Sequence, residues 1–116
     1  EQYGRVFGDV PEIRPLALPA WPHEHAWHLY VVRLDRPGLT RTEFMERLKR
    51  RNIGTGIHFL AAHTQTYYRN REDLRRDLPN TEWNSERILS LPLFPDMTEE
   101  DVGDVAAAVK EALAGE

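Results

Sequence analysis

The sequence predicts an α+β fold: a sheet of about three strands, mainly antiparallel, with helices packed on one face. Three observations lead there. Residues 28–34 (His-Leu-Tyr-Val-Val-Arg-Leu) are rich in β-branched and aromatic side chains and apolar on both faces, as suits a central strand. Two later stretches show helical spacing behind Thr-x-x-acid starts, at Thr40 and at Thr98. The element order β, α, β, short helices, β, α supplies few and short strands, which fits a small layered sheet.

The bulk properties bound the rest. A chain of 116 residues suits one domain, and such a domain buries roughly two-thirds of its unfolded-state surface, enough for a core without staples. There is no cysteine, which excludes disulfides, thiolate metal sites and cysteine nucleophiles, and fits a reducing compartment. The net charge is −4 with both signs mixed along the chain, unlike a nucleic-acid footprint. Arg47, Lys49, Arg50 and Arg51 make the densest basic patch. With Glu43 and Glu46 just before them, they read as a solvated helix face with cations at its C-terminal end. No apolar run reaches membrane-spanning length and no signal peptide is visible, so the expected location is cytoplasmic. The chain opens as if in the middle of something, and the expectation is a piece of a longer protein.

Taken in order, residues 1–25 read as irregular, with Tyr3, Val6 and Phe7 as the tail of a helix. Pro11, Pro15, Pro19 and Pro22 forbid a regular helix or a central strand. Ile13, Leu16, Leu18 and Trp21 imply that this crossover segment packs on a surface, and residues 26–116 form the domain proper. After the first strand, residues 35–38 supply turn chemistry. Thr40 and Glu43 make a capping box, Leu39 and Phe44 a staple, and Phe44, Met45 and Leu48 the buried stripe. Asn52 or Gly54 supplies the left-handed stop.

Residues 56–59 then predict a second short strand, between two glycines that permit close approach of the backbone. Residues 64–71 suggest one or two helical turns, and 69–77 a charged, exposed loop, the best candidate for disorder. Asn80 is the expected cap of a short helix through Trp83 and Glu86. Residues 88–92 make a third strand whose end Pro92 and Pro95 confine to an edge or exit. In the last helix Thr98 caps, acids fill the first turn, and Val102, Val105, Ala106, Val109 and Leu113 form one apolar face before Gly115. The second face of the sheet is expected to stay apolar and half-finished.

Five histidines are the main chemical candidates. His23 and His25, two apart, place two imidazoles on one side of an extended segment, but no third ligand completes a metal spacing. His58 stands on the expected strand between glycines. It reads either as a hydrogen-bonded, half-buried histidine or as a pocket residue. Phosphate-loop, dinucleotide and nucleophile-elbow patterns are absent. Ser85 and Ser90 lack the flanking context of a nucleophile.

Several runs carry a resemblance. Residues 54–59 (Gly-Thr-Gly-Ile-His-Phe), 61–65 (Ala-Ala-His-Thr-Gln), 67–69 (Tyr-Tyr-Arg), 78–88 (Leu-Pro-Asn-Thr-Glu-Trp-Asn-Ser-Glu-Arg-Ile) and 90–98, together with 26–30, resemble the C-terminal part of the DegT/StrS-type sugar aminotransferases. The resemblance covers roughly residues 20–114. It implies the small domain of the type I pyridoxal-phosphate fold. A larger domain would bind pyridoxal 5′-phosphate and supply the Schiff-base lysine, and the full-length enzyme would be a homodimer. The similarity is greatest to the branch that aminates a UDP-4-keto-pentose. That branch makes UDP-4-amino-4-deoxy-L-arabinose, the aminoarabinose of lipid A modification, with glutamate as donor and 2-oxoglutarate as product.

The resemblance places His58 where the small-domain strand reaches the active site, and His63 and Tyr67 in the loop that follows, all three as substrate-binding candidates. It implies no catalytic, cofactor-binding or metal residue in this chain. Only Lys49 and Lys110 are present, both late in amphipathic helices and off the apolar stripe, where an ammonium stays solvated. A Schiff-base lysine needs a desolvated pocket. The chain alone is therefore expected to be inactive and to hold no cofactor. The alternative is a stand-alone, non-catalytic binding or regulatory module of the same fold.

Overall fold

The computed structural model describes residues 2–74 and 76–115. Its centre is a three-stranded antiparallel sheet in the order β1-β2-β3, formed by Ile13–Pro15, Tyr30–Leu34 and Ile88–Leu91. The β-branched run predicted as central lies in the middle, with Ile13 opposite Leu34 on one side and Tyr30 opposite Leu91 on the other. Alternation then sorts the side chains. Ile13, Tyr30, Val32, Leu34, Leu89 and Leu91 face one way and are buried.

Two long helices cover that face. Helix α2 (Arg41–Arg50) contributes Phe44 and Leu48, and helix α5 (Glu99–Ala114) contributes Val102, Val105, Ala106, Val109 and Leu113. Ala108 and Ala112 are buried too, so the apolar stripe of α5 is wider than the five positions read from spacing. Phe44, Leu48, Val32, Leu89 and Val109 are wholly shielded. Burying each large apolar side chain is worth about 1.5–3 kcal/mol, and this is the principal stabilisation of the fold.

Both long helices start as their sequences require. Thr40 accepts from the Glu43 amide at 3.2 Å, and the Glu43 carboxylate accepts from the Thr40 amide at 3.0 Å. Thr98 and Asp101 repeat the arrangement at 3.1 and 2.8 Å. Each threonine hydroxyl also donates to its carboxylate at 2.6 Å, and this bond, helped by the backbone one, holds Glu43 and Asp101 below their ordinary values. Asn52 (φ 61°) and Gly115 (φ 97°) provide the left-handed exits.

The N-terminal stretch is more ordered than its prolines suggest. Helix α1 (Gln2–Val6) places Tyr3 and Phe7 in the core, where Tyr3 stacks on Tyr30 at 4.6 Å and donates to the Pro92 carbonyl at 2.8 Å. Burial pushes both tyrosine hydroxyls up from their ordinary value, so they stay neutral. Ile13–Pro15 is an edge strand, which an irregular reading of residues 1–25 misses. Pro15 is tolerated because an edge leaves its missing N–H without consequence. Ile13 is buried as expected, whereas Leu16, Leu18 and Trp21 are exposed, Trp21 by 69%. Their apolarity does not reflect packing within this chain.

Other expectations need correction. The predicted strand at 56–59 is a single bridge from Gly56 to Ser90. Asn80 does not cap: Pro79 opens α4 (Pro79–Ser85) as its first residue, with Leu78 in the cap position. Within the predicted loop, Glu72–Leu74 forms one 3₁₀ turn and Arg71 clamps Asp73 at 2.8 and 2.6 Å; Arg75 lies outside the described residues. The second sheet face is mixed, with Arg14, Val31, Arg33, Ile88 and Ser90 on alternate positions. Trp83 of α4 lies over the Arg33 guanidinium there at 6.0 Å. No helix among the described residues is long and apolar enough to cross a membrane.

Candidate functional site

The chain from Ile53 to Asn70 runs along the free edge of β3 and then across the end of α4. Gly56 exchanges two backbone bonds with Ser90, donating at 3.2 Å and accepting at 2.8 Å. The ladder ends there because His58 folds back over Gly56. A Cβ at Gly56 would stand 2.5 Å from His58 Cε1, so any side chain here would force the imidazole aside. Nδ1 of His58 lies 2.9 Å from the hydroxyl of Ser90, which is buried on the second sheet face. The His58–Phe59 peptide is cis, and the Phe59 ring meets the imidazole edge-on at 5.2 Å.

Two further bonds hold the segment to α4. The Ala61 amide donates to Ser85 Oγ at 2.9 Å, and the Thr64 hydroxyl closes the following 3₁₀ turn (Ala62–Thr64) on the Ala61 carbonyl at 2.7 Å. Nε2 of His63 lies 3.0 Å from Glu82 Oε1. Helix α3 (Thr66–Arg69) follows, and the Tyr67 hydroxyl accepts from Arg71 at 3.2 Å. The bidentate Asp73 pair and the Tyr67 bond together push the Arg71 guanidinium up.

The three residues picked from the sequence are thus anchored separately: His58 on β3, His63 on α4, and Tyr67 on Arg71. The nearest cavity, about 290 Å³, is lined by Phe59, Ala61, Asn80, Thr81, Asn84, Ser85 and Ile88, with His58, His63 and Tyr67 outside the lining. Sequence reasoning set Ser85 and Ser90 aside for want of a nucleophile context. Their role is to hold backbone and imidazole. The available signal was Ser90 itself, a polar residue in an otherwise apolar strand.

His58 makes its hydrogen bond through Nδ1, and Nε2 bonds to no described residue. In the tautomer whose Nδ1 accepts from the Ser90 hydroxyl, Nε2–H is left as a donor. Once protonated, the ring offers a charge-assisted bond to a carboxylate or a sugar oxygen. His23 and His25 are engaged locally: His23 Nδ1 lies 2.9 Å from the Trp21 carbonyl, and His25 Nδ1 accepts from the Trp27 amide at 2.8 Å. No group of three or more histidine or acidic residues among the described residues is placed to hold a metal ion. Lys49 and Lys110 are exposed, on α2 and α5 respectively.

Comparison with known proteins gives this geometry its context. Residues 1–110 match the model of the DegT/DnrJ/EryC1/StrS aminotransferase family. Among solved structures, the chain is similar to the aminotransferase TlmJ from Streptoalloteichus hindustanus (29% identity, TM-score 0.81, 97% of this chain and 29% of that one). It is also similar to DesV from S. venezuelae, solved in complex with a ketimine intermediate (29% identity, TM-score 0.78, 95% and 29%). A third is DesI, solved in the presence of its TDP-sugar product (26% identity, TM-score 0.78, 98% and 29%). The chain spans about three-tenths of the length of these relatives. By its sequence match and its fold, this chain belongs to the DegT/DnrJ/EryC1/StrS aminotransferase family.

Proposed function

We propose that this chain is the C-terminal small domain of a pyridoxal-phosphate-dependent aminotransferase that moves an amino group from glutamate to a nucleotide-linked 4-keto sugar. A UDP-4-keto-pentose is the proposed acceptor, on the strength of the motifs from residue 54 to 98. The single observation that carries a binding role here is His58. Its ring is fixed through one nitrogen by Ser90 while the other stays available. That is the condition for a preorganised donor. His63, in the 3₁₀ turn, and Tyr67, on α3 and not in the expected loop, follow His58 along the chain and are proposed to line the substrate entrance. Residues 1–25 are proposed as the crossover from the preceding domain, and residues 26–116 as the small domain. A homodimeric, cytoplasmic enzyme is the proposed setting.

The residues present do not fit an anchor for pyridoxal phosphate. Both lysines are exposed on helix surfaces, with no enclosing pocket around the amine. When bound, the cofactor supplies the electron sink of transamination. This chain's part is to orient substrate and to keep water from the rim. The exposed Leu16, Leu18, Trp21, Phe59 and Leu60 support a missing body, since apolar surface of this kind marks an interface.

The test is His58→Ala in the full-length enzyme. A rise in KM or a fall in kcat with the cofactor absorbance intact is expected. Kinetics identical to wild type would remove His58 from the site.

A further inference from the structure

Three anchors hold the loop that carries His58 and His63, and they sit on two different elements. Glu82 and Ser85 belong to α4, while Ser90 belongs to β3. The loop therefore keeps its shape only if α4 and β3 keep a fixed relation across residues 86 and 87. One side chain from elsewhere in the fold spans that corner. Arg41, in the first turn of α2, directs Nη1 to the carbonyl of Ser85 and to that of Ile88, the latter at 3.2 Å. Ser85 is the last residue of α4, whose terminal carbonyls carry the negative end of the peptide dipoles and attract a guanidinium.

We infer that Arg41 is a positioning residue for the candidate site: it clamps the α4–β3 corner and so sets where the loop at 58–64 stands relative to Ser90. The inference rests on the reading of His58 and His63 as rim residues. Position and chemistry support it. Arg41 bonds to the backbone of Ser85, whose own hydroxyl receives the Ala61 amide, so one residue couples α2 to the loop. Its Nε is buried and unpaired, and burial lowers the guanidinium's affinity for its proton. A group partly withdrawn from water at that cost is kept in place by the two carbonyls, with the Glu86 charge as the further favourable field. Both carbonyls are met by the N–H groups of one nitrogen, Nη1, which lies one bond further along its side chain than a lysine ammonium would.

The test uses wild type, Arg41→Met and Arg41→Lys in the intact full-length enzyme, with amide hydrogen exchange and steady-state kinetics measured on each. In Arg41→Met the Ala61 amide is expected to exchange about tenfold faster, while amides of Val32 and Leu89 keep their protection. KM for the keto sugar is expected to rise about tenfold with kcat within about twofold and unchanged cofactor absorbance. Arg41→Lys is expected to fall between the two in both readouts, and gives the same comparison should the methionine variant not fold. Unchanged exchange at Ala61 overturns the clamp whatever the enzyme does. A uniform loss of protection across the sheet overturns it as well, since that is general destabilisation. Faster exchange at Ala61 with unaltered KM upholds the clamp and removes the loop from the substrate pocket, which is a failure of the functional reading alone.

Discussion

The two ends of helix α2 face two different kinds of structure. Toward its middle and C-terminus, Phe44 and Leu48 enter a core with α5 and the inner sheet face, where many side chains share the stabilisation. Near its N-terminus, Arg41 reaches a corner and a loop whose shape rests on a handful of single hydrogen bonds: Ser85 to Ala61, Ser90 to His58, Glu82 to His63. The difference teaches where each region is vulnerable. Burial is collective, so a change within it is felt as a loss of stability by the whole fold. A loop held by discrete polar contacts loses its geometry with one of them while the fold survives.

That contrast can be broken most forcefully at Phe44. Phe44→Ala empties a fully buried position, and about 3–5 kcal/mol of global stability is expected to go, read by urea or thermal unfolding. A loss below 1 kcal/mol would mean that the core is not the common support described here.

Gly56→Ala comes next. The new methyl group cannot share space with the His58 ring, so a cost of about 1–3 kcal/mol is expected. The imidazole should be displaced from Ser90. Histidine ring NMR signals and a structure of the variant would read this; an undisturbed ring would show that the close approach is not a constraint.

Smallest is the pair of helix caps, which sharpens the comparison by testing polar contacts that support the core. Thr98→Ala is expected to cost about 1 kcal/mol in an unfolding titration. The cap carboxylates also make stability depend on pH. Glu43 and Asp101 are held below their ordinary values of 4.5 and 3.8, so their contribution is complete above those values. It is lost as pH falls through the depressed folded values. Thermal unfolding followed from pH 6 to pH 2 should show wild type losing more than the Thr98→Ala variant. Parallel curves would detach the caps from the acid response.

Much of the scaffold was legible beforehand because its causes are local. A threonine three residues before an acid makes a cap wherever it folds, and the apolar stripe of α5 follows from a 3.6-residue period. The central strand was legible from its branched side chains. The site was legible only in part. His58 stood out as a candidate, but the stretch around it is not a strand, because the ring occupies the space beside Gly56 where the ladder would continue. Leu16, Leu18 and Trp21 were assigned to packing by their hydrophobicity, a property that names no partner and no location. Asn80 looked like a cap by residue type, yet Pro79 starts the helix before it.

By itself the sequence determined the helix starts and stops, the inner sheet face, the family motifs and the scarcity of lysine, all of which depend on residue type and near neighbours. Only the tertiary structure decided that Ser90 holds His58, that Ser85 holds Ala61, and that Arg41 joins the corner beneath them. The physical reason is range. Those contacts join residues 24 to 47 positions apart, and no period or propensity along the chain encodes which polar groups meet once the strands and helices have packed.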